Sequence, residues 1–169
     1  MQDLLPRAEK LAGLLKARGE TIVVAESSTG GLISAALLSV PGASAYFLGG
    51  AVVYTLKARR ALLDIEDAAV KGMRGASEPY AALMARAVRE QFGASWSIAE
   101  SGATGPTGNR YGDAAGHSCI AIAGPIERVI TLETGSSDRV ANMRVFAARA
   151  LDLLEECLGG KKRETRKEK

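Results

Sequence analysis

A chain of 169 residues that is 47% hydrophobic and 24% charged has room for one domain with a real core, and its composition is that of an ordinary globular protein. Gly159 to Lys169 hold six Lys/Arg and two Glu, a surplus of +4 that leaves −1 for the rest of a chain whose net charge is +3. That distribution argues for a solvated, disordered basic tail over 159–169 and makes nucleic acid an improbable partner. A single histidine and two cysteines, Cys119 and Cys157, offer no metal-ligand spacing, so no metal or cofactor is expected and two buried thiols are favoured over a disulfide. No apolar run reaches the length of a membrane span, and the amphipathic first twenty residues carry Asp3 and Glu9 instead of a signal-peptide core. A cytoplasmic protein of one domain, residues 1–158, is the default.

In chain order, the spacing of Leu4, Leu5, Ala8, Leu11, Ala12 and Leu15 predicts a helix over 3–18, with Asp3 as cap, Pro6 in the first turn and Gly19 as stop. A β-branched run predicts a strand at 21–26. A helix over 30–39 follows, broken by Pro41-Gly42. The stretch 47–54 contains a second strand, and Thr55 caps a helix running to Leu63. Residues 64–76 are mixed, with one helical turn at 66–70. Ser77-Glu78-Pro79 opens a helix reaching Gln91, and Trp96–Glu100 is a third strand. It empties into 101–112, which is too rich in glycine for regular structure. Strands at 117–124 and 127–134 form a hairpin, and a last helix runs from 137 or 138 to Leu158. The alternation predicts an α/β fold, a three-layer α/β/α domain with a mixed, mostly parallel sheet.

The most informative segment is Ala25-Glu26-Ser27-Ser28-Thr29-Gly30-Gly31. It places hydroxyls where a strand gives way to a helix, the edge at which open α/β sheets bind small ligands. Unpaired amides at such a helix start favour phosphate or a developing oxyanion. Ser27 is the candidate nucleophile; the plainer reading is that Ser27, Ser28 or Thr29 caps the helix. Glu26 orients a substrate or sits in an ion pair. Tyr54 lies at the end of the second strand, for packing or for catalysis. Lys57, Arg59 and Arg60 form a solvated face or bind anions, as do Arg139 and Arg144 on the last helix. His117 is a hydrogen-bonded histidine or a base. If the first and third strands are neighbours, both loops line one crevice.

Five motifs, in order, resemble those of the CinA C-terminal domain family, whose studied members include nicotinamide mononucleotide (NMN) amidohydrolases. Ala25–Gly31 is similar to A-E-S-C-T-G-G, and Val40-Pro41-Gly42-Ala43-Ser44 with Phe47 and Gly50 to P-G-(A/S)-S…F…G. Val53-Tyr54 matches the V-x-Y part of V-T-Y-S-N-x-x-K. Gly75-Ala76-Ser77-Glu78 is similar to G-A-V-S-E less one residue, and Ser101–Gly108 to (T/S)-G-I-A-G-P-x-G. The resemblance covers about residues 3–158. It implies an α/β/α fold, conversion of the NMN carboxamide to acid and ammonia without a metal, and a homo-oligomer. In the family a Ser/Lys pair with a Tyr is assigned the catalysis, which implies Ser27 and Tyr54 here. The lysine position holds Arg59, which cannot accept a proton, so Lys57 through a rebuilt turn, or His117, is the expected base. Glu26, Ser28, Thr29, Gly30, Gly31, Gly102, Thr104, Gly105 and Gly108 are the expected substrate and oxyanion contacts, with Arg59 and Arg144 for phosphate. The alternatives are a paralogue that binds a phosphorylated small molecule without hydrolysing it, and an assembly domain.

Overall fold

The computed structural model describes residues 1–159. Its strands are β1 (Ile22–Glu26), β2 (Phe47–Val52), β3 (Trp96–Ala103), β4 (His117–Ala123) and β5 (Arg128–Glu133), forming one sheet in the order β2-β1-β3-β4-β5. β1 is parallel to both β2 and β3, while β3–β4 and β4–β5 are antiparallel. The mixed sheet is thus parallel in one half and antiparallel in the other. The parallel half is joined by helical crossovers, as parallel strands require, whereas a loop over 104–116 joins β3 to β4 and a short turn joins β4 to β5.

Side-chain alternation along the strands assigns the helices to two faces. Ile22, Val24, Ile98, Ile120 and Ile122 point to one side and bury against α1 (Leu5–Arg18), α2 (Leu32–Leu38) and α5 (Arg139–Gly159). Val23, Ala25, Ala99, Cys119 and Ala121 point to the other, against α3 (Leu56–Leu63) and α4 (Glu78–Phe92). The small residues on this second face let α4 lie close to the sheet, while the larger ones on the first fill the space under three helices. Both cysteines are buried free thiols. Among the described residues no helix is long and apolar enough to cross a membrane. The basic tail expected at 159–169 lies, beyond Gly159, outside the described residues.

Most helix ends follow their local signals. Gly19 closes α1 at φ 61°, and the Thr55 hydroxyl accepts from the Ala58 amide at 3.1 Å. Ser77 opens α4 by accepting from Tyr80 N, and Asp138 accepts from Ala141 N at 3.0 Å. Four expectations are corrected. Asp3 does not cap α1, whose N-cap position is Leu4, without a side-chain bond. α2 begins at Leu32, and none of Ser27, Ser28 and Thr29 caps it; Gly31 occupies the N-cap position. β2 stops at Val52, leaving Tyr54 in the turn beyond it. β3 continues through Ser101-Gly102-Ala103, because Cys119, Ser118 and His117 of β4 supply a full ladder of partners that outweighs the poor strand propensity of glycine.

Candidate functional site

The same tripeptide recurs at the end of β1 and within β3, Ala25-Glu26-Ser27 and Ala99-Glu100-Ser101, with Ala25 paired to Ala99 across the parallel ladder. Alternation then sends both glutamates toward the α2 side of the sheet and both serines toward the α3–α4 side. There Ser27 and Ser101 line one cavity of about 570 Å³. The two loops therefore share a crevice.

The glutamates determine what the first loop can do. Glu26, fully buried, accepts from the amides of Ile33 (3.1 Å) and Ser34 (3.0 Å) and from the hydroxyls of Ser34 (2.6 Å) and Thr29 (2.7 Å). It caps α2 from within the sheet, satisfying amides that a helix start leaves orphaned. Glu100 accepts from the amides of Ser27 (3.1 Å) and Thr29 (3.0 Å), and its carboxyl is in hydrogen-bond contact with the hydroxyls of Ser28, Thr29 (3.0 Å) and Ser118 (3.2 Å). The Gly30 and Leu32 amides bond to Ser27 and Thr29 carbonyls. Gly30 and Gly31, at φ 64° and 103°, form the left-handed turn that lets the chain fold over these carboxylates. Six amides on which a phosphate or oxyanion was expected to rest are thus engaged internally. Glu26, Ser28 and Thr29 are buried behind the crevice and do not line it. Burial pushes the Glu100 carboxyl above the usual carboxylate range, only partly offset by bonds from Ser28, Thr29 and Ser27.

Tyr54 and Gly102 line the crevice with Ser27. The Tyr54 ring is exposed, and its phenolic oxygen accepts from Arg139 Nη2 at 3.3 Å, while Arg139 Nη1 donates to the Gly105 carbonyl at 2.6 Å. Arg139, at the first turn of α5, thereby ties the mouth of the crevice to the glycine loop. Arg59 also lines the crevice, but its guanidinium donates to Asp67 and to the Ile65 carbonyl (3.1 Å). It is 1% exposed, and Asp67 also pairs with Arg60 at 3.1 Å. Lys57 is exposed and is not among the lining side chains. On a helix, two residues turn the side chain by about 200° from Arg59.

His117 lies elsewhere, lining a second cavity with Arg74, Asp113 and Cys119. Its Nδ1 bonds to Glu133 Oε1 and its Nε2 to the Ala76 carbonyl at 2.7 Å. A carbonyl and a carboxylate only accept, so both ring nitrogens donate and the ring is an imidazolium. Burial alone would lower its pKa, but Glu133, Ala76 and the nearby Asp113 raise it above the ordinary value. The expectation that His117 serves Ser27 as a base is corrected on these grounds: it carries no free lone pair and faces the wrong cavity. Its role is to hold the crevice wall. Ala76 sits at φ 53°, a left-handed conformation that costs a residue with a Cβ. It is fixed there by His117 on its carbonyl and by Ser101, whose hydroxyl accepts from its amide at 3.2 Å.

The rest of the second loop is framework. The Thr104 carbonyl accepts from Asn142 Nδ2 at 2.8 Å, and a Cβ on Gly108 would stand 2.0 Å from the Asp113 carbonyl. Thr104, Gly105 and Gly108 do not line the crevice; Asn109, Arg110 and Tyr111 do. Asp113 binds Asn109 Nδ2 (2.8 Å) and both its oxygens meet Arg74 Nη1. Arg144 is exposed on α5, away from the lining. Sequence reasoning missed Glu100, Ser101, Arg110 and Tyr111. The repeated Ala-Glu-Ser was the available signal for the first two. No group of three or more His, Cys, Asp or Glu side chains is placed to hold a metal among the described residues.

The CinA C-terminal domain model matches residues 5–158. A CinA-like protein of Prochlorococcus marinus is 45% identical over 118 residues, 70% of this chain and 28% of that protein. One from Gloeobacter violaceus is 38% identical over 155 residues, 90% of this chain and 36% of that protein. The chain therefore spans about a third of the length of the curated relatives it matches. A competence-damaged protein (CinA) superfamily structure from Escherichia coli is similar at TM-score 0.86 and 25% identity, covering 92% of this chain and 91% of that one. A competence or damage-inducible protein from Enterobacter asburiae is similar at TM-score 0.86 and 29% identity, covering 92% and 98%.

Proposed function

We propose, from the premise that this chain belongs to the CinA C-terminal domain family, that its Ser27 crevice takes a pyridine nucleotide such as NMN and hydrolyses the carboxamide. Ser27 Oγ attacks the carboxamide carbon, the tetrahedral adduct expels ammonia with the serine proton on its nitrogen and leaves an acyl ester on Ser27, and water then cleaves that ester to release the acid. Tyr54 handles protons: Arg139 donates to its oxygen, which leaves the phenolic hydrogen free for the departing amine. The observation that carries this reading is that Ser27, Tyr54 and Gly102 face one cavity. Turnover is slow, because no lining side chain is a free base; general-base assistance is worth about 10²–10⁴-fold. The reading includes a cytoplasmic homo-oligomer that engages neither membrane nor nucleic acid.

A second reading, binding without hydrolysis, is favoured by Arg59, which stands where a base is needed and is locked to Asp67. Incubation with NMN decides between them. Ammonia release that disappears in Ser27→Ala, with NMN still bound, supports the hydrolase. Saturable binding without ammonia supports the second reading. Ammonia release equal in wild type and Ser27→Ala contradicts the proposed nucleophile, and absence of both binding and release removes both readings.

A further inference from the structure

We propose that Glu100 is the positioning residue for Ser27, and that it works as a neutral acid whose proton lies on Oε1. The Thr29 hydroxyl bridges the two carboxyls, with Oγ1 2.7 Å from Glu26 Oε2 and 3.0 Å from Glu100 Oε2; its one hydrogen is directed along the shorter contact, to Glu26. Amides only donate, so an oxygen that takes an amide N–H keeps its lone pair there. Both Glu26 oxygens take one, from Ile33 and Ser34, and Glu100 Oε2 takes two, from Ser27 and Thr29. Glu100 Oε1 alone of the four meets only hydroxyls, those of Ser28 and Ser118, which can turn to accept. The proton that the buried pair retains is therefore carried there.

The surroundings agree. Glu26 faces Thr29 from β1, the hydroxyls of Ser28 and Thr29 come from the turn, and Ser118 comes from β4. No Lys, Arg or His forms an ion pair with either carboxyl among the described residues. Both glutamates are buried, at 0% and 3% exposure. Two adjacent carboxyls without a countercharge cannot both ionise cheaply, and one retains its proton. Through its Oε2 the neutral Glu100 still holds the Ser27 and Thr29 amides, and so fixes the direction in which Ser27 enters the crevice. Ionisation would place a second negative charge beneath the site meant for an anionic ligand. The effect on that ligand rests on the reading of the crevice given above; the retained proton does not.

Wild type, Glu100→Gln and Glu100→Ala are compared by urea unfolding from pH 5 to 8.5, by amide exchange at Ser27 and Thr29, and by NMN calorimetry over the same range. Glutamine keeps the amide acceptor and turns its NH2 toward Ser28 and Ser118. Above about pH 4.3, the unfolded carboxylate value, unfolding wild type releases a proton that Glu100→Gln does not carry. Wild-type stability should therefore fall relative to the Gln variant by up to tenfold in the folding constant per pH unit. His117 titrates in both proteins and cancels. Exchange at Ser27 and Thr29 should stay slow in Glu100→Gln and rise at least tenfold in Glu100→Ala. The NMN phosphate titrates alike in both experiments, so the ratio of wild-type to Glu100→Gln affinity for NMN should decline as pH rises. Parallel stability curves for wild type and Glu100→Gln, or unchanged exchange in Glu100→Ala, overturn the inference whether or not NMN binds. Diverging curves and faster exchange with no NMN binding sustain the proton and the positioning, and remove the pyridine-nucleotide reading instead.

Discussion

The two strand ends beneath the crevice begin alike and finish differently. After Ala25-Glu26-Ser27 the chain turns into a helix, and its amides are satisfied by Glu26 and Glu100. After Ala99-Glu100-Ser101 it continues in the sheet, then spreads into a loop held from outside by Asn142, Arg139 and Arg74. The first loop is held because it closes over two buried carboxyl groups. In the proposed function the second is the face offered to a ligand, because its carbonyls are anchored and Asn109, Arg110 and Tyr111 are left at the cavity wall. A helix start rich in glycine and hydroxyls is therefore no anion site here. Buried carboxyl groups occupy it, and in the proposed function recognition falls to side chains across the crevice.

That contrast can be broken from either side. Glu26→Ala removes the acceptor of four buried donors and should cost about 3 kcal/mol, since each stranded buried group costs about 1–3 kcal/mol. A urea series should show this as a lowered midpoint, with exchange rising first over α2. Asn142→Ala should cost less, about 2 kcal/mol, because, of the Thr104 and Ser136 carbonyls and the Thr134 hydroxyl that it frees, the last two are only half-buried. Its exchange should rise over the second loop and leave α2 slow. Equal effects on both loops in either variant would mean that they are one mechanical unit.

The smallest effect is on pH dependence. The His117 pKa is raised in the folded state, so its contribution is complete below the unfolded value of about 6.5 and is lost as pH rises through the folded value. His117→Gln should flatten that part of the stability curve. A curve unchanged by the substitution would contradict the imidazolium assigned from its two acceptors.

The legible parts of the sequence were those whose signals are local. Gly19, Thr55 and Ser77-Pro79 sit within a turn of the helix ends they set, and Gly124-Pro125 separates two strands that pair next to each other. The alternation of strands with helices was enough for the layers. What stayed hidden depends on distant partners. Glu100 contacts Ser27, Ser28 and Thr29 from more than seventy residues away, so nothing beside it in the chain announced its role. Glu26 caps α2 across an intervening turn, which capping rules confined to the helix edge do not anticipate. Tyr54 and Ser27 were readable as crevice residues because both follow strand ends. The two candidate bases were not readable, because the direction of Lys57 depends on helix phase and the state of His117 on acceptors from β5 and the 72–77 segment.

The proposed chemistry depends most heavily on where a carboxamide sits when the ligand is bound. A crystal structure of Ser27→Ala with NMN answers this directly. We expect the carboxamide carbon about 3–3.5 Å from the position that the serine oxygen holds in the wild type, with Tyr54 at its amide nitrogen. A ligand lodged in the cavity beside His117, or one whose carboxamide faces solvent, would contradict it.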